Sequence, residues 1–202
     1  MFAEFPRMAR PTTCLTGSRA ASLNALMRRL ISAMNITVWT MRLNKDLKEF
    51  LLELNIADVR YLITGGFAVA AHGHPRYTKD IDAWIAPEKE NAKRAVAAIE
   101  AFGFGDLGIV AEDFCGEPKM LQLGYPPNRI DLLNFASGLE FEDAWSHRVE
   151  TRIDGVPVHL IALSDLEKNK RASGRLQDLA DLQKLGFSVS PEEAAAAAKK
   201  TP

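Results

Sequence analysis

Cysteine is scarce in this 202-residue chain: Cys14 and Cys115 stand far apart, with no CxxC and no Cys/His pair at ligand spacing. That scarcity speaks against a disulfide framework and against structural zinc, and it suits a reducing cytoplasm. Also missing is any apolar run long enough to span a bilayer, so no membrane partner is expected. Neither sign of charge is in excess. The 25 basic and 26 acidic residues leave a formal net charge of -1, which gives no overall field for nucleic acid or an anionic membrane and leaves only a local basic patch open. There is no internal repeat. Apolar residues, by contrast, make up 47% of the chain, enough at this length for one main core with a small helical appendage.

Acids are almost absent from the first forty residues. Glu4 is the only one, while Arg7, Arg10, Arg19, Arg28 and Arg29 are scattered among Ser, Thr and Ala. Two origins fit this composition: an organelle transit peptide, or an extension translated from an upstream start with Met34 or Met41 as the natural beginning. Leu23, Leu26, Met27, Leu30 and Ile31 would give Ala20 to Ile36 only a loose amphipathic helix. The expected division is therefore a poorly ordered extension over 1–40, a core over 41–162, and C-terminal helices over 163–202 packed on that core.

From Asn44 the pattern alternates between helix and strand. Helical spacing of Leu47, Phe50, Leu51 and Leu54 predicts a helix from Lys45 to Leu54. A strand over Arg60–Thr64 and a short helix over Phe67–His72 follow. Proline disfavours helix in the residue before it, so His72-Gly-His-Pro75 is a loop that delivers Arg76, Thr78 and Lys79 to an acidic strand starting at Asp80. A surface helix over Pro87–Phe102 should stop at Gly103-Phe-Gly105. Next come antiparallel strands over Lys119–Leu123 and Arg129–Asn134, a short helix over Glu140–Trp145, and a hairpin turning at Asp154-Gly155. Ser164-Asp-Leu-Glu167 has the form of a capping box opening a helix with Lys168, Lys170, Arg171 and Arg175, and a second helical run over Leu176–Leu185 ends at Gly186. The alanine-rich stretch Pro191–Lys200 would be a terminal helix with little to hold it.

The chemistry concentrates between Gly65-Gly66 and Asp80-Ile81-Asp82. Glycines let backbone amides approach a phosphate with no β-carbon in the way, and a helix starting there adds its positive end. Residues two apart on a strand share a face, so Asp80 and Asp82 aim together while Ile81, Ala83 and Ile85 enter a core. On the later strand Asp131 alternates with Ile130 and Leu132. Three such carboxylates are what two-metal phosphoryl or nucleotidyl transfer needs, since Mg²⁺ takes oxygen ligands and bridges to substrate phosphates. His72 and His74 flank this region. Trp84 shares the face of Asp82, where an aromatic ring serves either a nucleotide base or the core.

These residues resemble the nucleotidyltransferase superfamily with the DNA polymerase β-like core, in the small prokaryotic branch of abortive-infection and toxin–antitoxin type nucleotidyltransferases. Gly65-Gly66, Arg76-Tyr77-Thr78, Asp80-Ile81-Asp82, Asp131 and the stretch from Leu163 to Asp181 carry the resemblance, over roughly 44–186. It implies an α+β nucleotidyltransferase fold, a small mixed β-sheet flanked by helices with a short C-terminal helical segment. It further implies that Asp80, Asp82 and Asp131 bind two Mg²⁺ ions, with Asp131 also the base toward the acceptor hydroxyl. Gly65, Gly66, Arg76, Thr78 and Lys170 would hold the NTP, whose NMP would pass to a hydroxyl or phosphate of RNA or tRNA, a protein or a small molecule. One departure is Gly66, where better-studied branches often carry a phosphate-contacting serine. The alternative is a non-catalytic protein of the same fold, one half of a toxin–antitoxin pair with a cognate antitoxin or toxin partner. Lys170, Gly174, Asp178 and Asp181 would share one helical face only if the two helical runs were continuous, and there an internal ion-pair network is the competing role for Lys170.

Overall fold

A computed structural model describes residues 42–74, 78, 80–126 and 128–200, all of them within one compact unit. The extension over 1–40 and its loose helix lie outside the described residues. Asn44 opens the first helix, α1 (Lys45–Ile56), by accepting the Leu47 amide on its side-chain oxygen at 2.8 Å. That bond satisfies one of the amides a helix start leaves unpaired. Leu47, Phe50, Leu51 and Leu54 form the buried face, each contributing about 1.5–3 kcal/mol by leaving water. Then come β1 (Tyr61–Ile63), α2 (Gly65–Ala71), β2 (Asp80–Ile85) and α3 (Lys89–Ile99). A π turn over Glu100–Phe104 ends α3, with Gly103 at φ 107° where the stop is expected.

The remaining elements are β3 (Met120–Leu123), β4 (Arg129–Leu133), α4 (Phe141–Ser146), β5 (Val149–Ile153), β6 (Val156–Leu160), α5 (Leu163–Ser173), α6 (Leu176–Lys184) and α7 (Pro191–Lys200). The six strands form one sheet in the order β3-β4-β2-β1-β6-β5. It is mixed: β2 and β4 pair parallel, as do β1 and β6, while β1/β2, β3/β4 and β5/β6 are antiparallel. Asp154 and Gly155 both adopt positive φ at the β5–β6 turn, the geometry a two-residue hairpin of matching twist requires. The architecture is therefore α+β, a small mixed sheet flanked by helices and followed by C-terminal helices, as expected.

Alternation along β2 separates two cores. Ile81, Ala83 and Ile85 join the main cluster with the apolar face of α1 and with Ala92, Ala95 and Ile99 of α3. On the opposite face Trp84 packs with Leu62, Phe141 and Ala144, its ring 5.1 Å from that of Phe141. Of the two roles open to Trp84, the structure gives it the core. A buried polar residue fastens α3 to the sheet: Asn91 accepts the Arg60 amide at 2.7 Å and donates to the carbonyls of Arg60 and Ala86.

Two expectations for the C-terminal segment need correction. Ser164 does not cap α5, which starts one residue earlier with Ala162 as its uncapped entry, because Ile161 still pairs with the Ile63 carbonyl and delivers the chain directly into the helix. The two helical runs are separate, as expected, with Gly174 at φ 60° ending α5 and turning the chain into α6. Nor does α7 lack support. Ser190 and Glu193 exchange side-chain and backbone hydrogen bonds at its start, Glu193 pairs with Arg171 at 2.7 Å, and Ala197 is buried against Leu179 and Leu182.

Candidate active site at the acidic strand ends

Parallel pairing of β2 and β4 sets Asp82 opposite Asp131 and Asp80 opposite Arg129. With side chains alternating at every residue, all four share one face of the sheet. Arg129 joins the acids: its Nη2 donates to Asp80 Oδ2 and, at 2.8 Å, to Asp131 Oδ2. The three aspartates singled out by the sequence are thus neighbours. Thr78 supports the first of them, its hydroxyl lying 3.0 Å from Asp80 Oδ1 and 3.1 Å from the Asp80 carbonyl. Arg76 lies outside the described residues.

The glycine turn closes over Asp82. Gly65 sits at φ 58°, and a β-carbon there would stand 1.9 Å from Asp82 Oδ2, so both conformation and space demand glycine. The Gly66 amide is directed at the same carboxylate. Burial pushes the Asp82 carboxyl up to about 6, reinforced by the charges of Asp80 and Asp131; the Gly66 amide and the Arg175 guanidinium act in the opposite sense. Burial also raises Asp131, against the pull of Arg129. Asp131 Oδ1 is buried and has no hydrogen-bond partner among the described residues.

This donor set fits Mg²⁺, a hard cation that prefers carboxylate oxygens. The crowded carboxylates repel one another, one buried oxygen is unpaired, and a guanidinium bridges two of the acids where positive charge is called for. As the side chains stand, no group of three or more His, Cys, Asp or Glu among the described residues is arranged to hold a metal ion. Arg129 takes up part of that arrangement. Its role escapes the sequence pattern because only the β2–β4 register sets it beside Asp80, although its place two residues before Asp131 is a signal for the shared face.

Lys170 is not where the resemblance puts it. Its side chain is 3% exposed and its ammonium is held by Asp178 Oδ1 at 3.0 Å and Asp181 Oδ2 at 2.8 Å, because the Gly174 turn folds α6 back against α5. A buried ammonium between two carboxylates stays with them. The charges of Arg129 and of Arg175, the latter just past the turn, both act on Asp82. His72 serves the scaffold, with Nε2 2.8 Å from the Ile161 carbonyl and burial lowering its pKa.

No protein-family model matches the chain, and no curated protein does. Among solved structures, a candidate nucleotidyltransferase of Thermotoga maritima, TM1012, is similar at TM-score 0.47 and 16% identity, over 68% of this chain and 88% of that one. The antibiotic-resistance factor ANT(2'')-Ia, whose solution structure reveals substrate-regulated conformation dynamics, is similar at TM-score 0.45 and 15% identity, over 76% of this chain and 88% of that one. Likeness at this level assigns no activity, so function rests on the geometry of the site.

Proposed function

We propose that the chain is a Mg²⁺-dependent nucleotidyltransferase that moves an NMP from an NTP to a hydroxyl or phosphate acceptor. The observation that carries this is the in-register placement of Asp82 beside Asp131 on parallel strands, with Asp80 on the same face and the Gly65-Gly66 turn against them. Asp80, Asp82 and Asp131 would hold Mg²⁺, which when bound supplies charge neutralisation for the reacting phosphate and the departing pyrophosphate. The acceptor oxygen forms a bond to the α-phosphorus as the bond to pyrophosphate breaks. Asp131, its pKa raised by burial, takes the proton of an acceptor hydroxyl. Gly65 and Gly66 present backbone to the triphosphate without a β-carbon, and Thr78 fixes the Asp80 carboxylate. Residues 41–162 would form the catalytic core and 163–202 its helical appendage.

The test is transfer of label from each α-labelled NTP, with Mg²⁺, to pools of tRNA, protein and aminoglycoside. Wild type is expected to label one pool, and Asp80→Ala to lose that labelling by at least a hundredfold. A wild type that labels none despite binding NTP would support the non-catalytic toxin–antitoxin role, which Gly66 in place of serine favours.

A further inference from the structure

Side chains alternate along β4, so Ile130 leaves the face of the three aspartates and joins the main core behind the sheet. On that side lies a cavity of about 380 Å³, within the size range of small-molecule sites. Phe102, Phe104 and Tyr125 line it together with Ile130, and Asp46 of α1 is the one charged residue among its described lining. Three aromatic rings and a carboxylate thus meet at one opening.

Each of these groups is held in place by its surroundings. Phe102 stands edge-on to the buried ring of Phe50, centroids 5.2 Å apart, and 5.6 Å from Phe104. Gly103 between them adopts φ 107°, a bend that brings both rings to the same cavity. Tyr125 sits in the β3–β4 turn with Pro126 after it, and a following proline narrows the backbone freedom of the residue before it. Its side chain is 85% exposed, so its ring is free for a ligand. Asp46 is fixed through a chain of amides: Asn128 Nδ2 donates to Asp46 Oδ2 at 2.6 Å, and Asn44 Nδ2 donates to Asn128 Oδ1 at 2.7 Å. Asn44 is itself held by the capping bond that opens α1. No basic residue is among the described lining, so the cavity offers no cation to meet the charge of Asp46.

We propose that this cavity binds an organic cation, an ammonium group carrying methyl or other alkyl substituents. The faces of aromatic rings carry negative potential and attract a cation set against them. An alkylated ammonium suits rings better than a bare one, because it gives up fewer hydrogen bonds to water on entering. The Asp46 carboxylate answers its charge and repels phosphates. A single carboxylate supplies too few oxygen ligands for a metal ion. The site lies on the opposite face of the sheet from the aspartates and its occupant needs no phosphate, so it stands independently of the nucleotidyltransferase reading.

Calorimetric titration of choline into the full chain at low salt tests this, with melting temperature as the check on folding. Two further probes are the neutral alcohol in which carbon replaces the nitrogen of choline and a peptide carrying trimethyl-lysine. Wild type is expected to bind choline and to bind the neutral alcohol at least tenfold more weakly. Tyr125→Ala is expected to weaken choline at least fivefold with melting nearly unchanged, since the side chain is exposed, whereas Tyr125→Phe keeps most of the affinity because the ring face supplies the attraction. Asp46→Asn is expected to weaken choline and to leave the neutral alcohol unaffected. A peptide that binds more tightly than choline, and loses affinity in Tyr125→Ala and Asp46→Asn, upholds the site and identifies a protein as the source of the ammonium. Equal affinity for choline and the neutral alcohol reveals an apolar cavity with no cation recognition and overturns the proposal. So does choline binding that survives Tyr125→Ala, or a wild type that binds neither choline nor the peptide at millimolar concentration.

Discussion

Asp82 is the residue on which the electrostatics of the site turn. Its carboxyl is pushed up to about 6, first by burial and then by Asp80 and Asp131. In the unfolded chain an aspartate releases its proton near about 3.9. Between these values the folded state binds more protons than the unfolded one, so stability falls as pH rises. The contribution is whole below about pH 4 and is lost as pH passes through about 6. We therefore expect the melting temperature of wild type in EDTA to fall across this window relative to that of Asp82→Asn, which has no proton to release there. Parallel melting curves for the two proteins from pH 4 to 7 would sink the claim. The same residue shows how far the sequence could be read. Period two along the strand identified Asp80 and Asp82 as a pair, but the partner whose charge comes closest to answering theirs, Arg129, is set by cross-strand register, which strand patterning does not encode.

At the level of elements, strands and turns were legible because their signals are local. Asp154-Gly155 adopts the positive φ values its composition calls for, and Gly103 ends α3. The C-terminal helices were less so. Two Ser-x-x-Glu patterns compete there, at Ser164 and Ser190, and only the second caps a helix, with Pro191 at the first helical position. At Ser164 the strand pairing of Ile161 overrides the local preference. Helical spacing does not show that Gly174 is the left-handed break that lets Asp178 and Asp181 reach Lys170. Alanine there would cost about 1–2 kcal/mol in the left-handed conformation alone. It would also favour a continuous helix that pulls the two aspartates from a buried ammonium. Gly174→Ala is thus expected to lower the denaturant midpoint by more than that conformational cost implies, and a change near zero would mean that the α5–α6 turn is not held by this network.

For the whole molecule, a net charge of -1 conceals an uneven distribution. Acid is gathered at one end of the central strands, with one guanidinium lying among the carboxylates. Such a site is held back in its metal-free form, because the fold must bring mutually repelling carboxylates together. A divalent cation that relieves the repulsion binds the folded state and not the unfolded one, so it should raise global stability. At a concentration one hundred times its Kd the gain is about 2.7 kcal/mol, and each kcal/mol shifts the melting temperature by about 2–4 °C for a chain of this size. Binding also requires Asp82 to lose its proton, so affinity should climb as pH rises through about 6. We expect Mn²⁺ to raise the melting temperature of wild type by several degrees at pH 7 and by much less at pH 5, and to leave Asp131→Asn nearly unmoved. Arg129 competes for Asp80 and Asp131, so Arg129→Gln should reach the same shift at lower Mn²⁺. If millimolar Mn²⁺ moves neither wild type nor Arg129→Gln at pH 7, the three carboxylates do not form a metal site, however well their strands align.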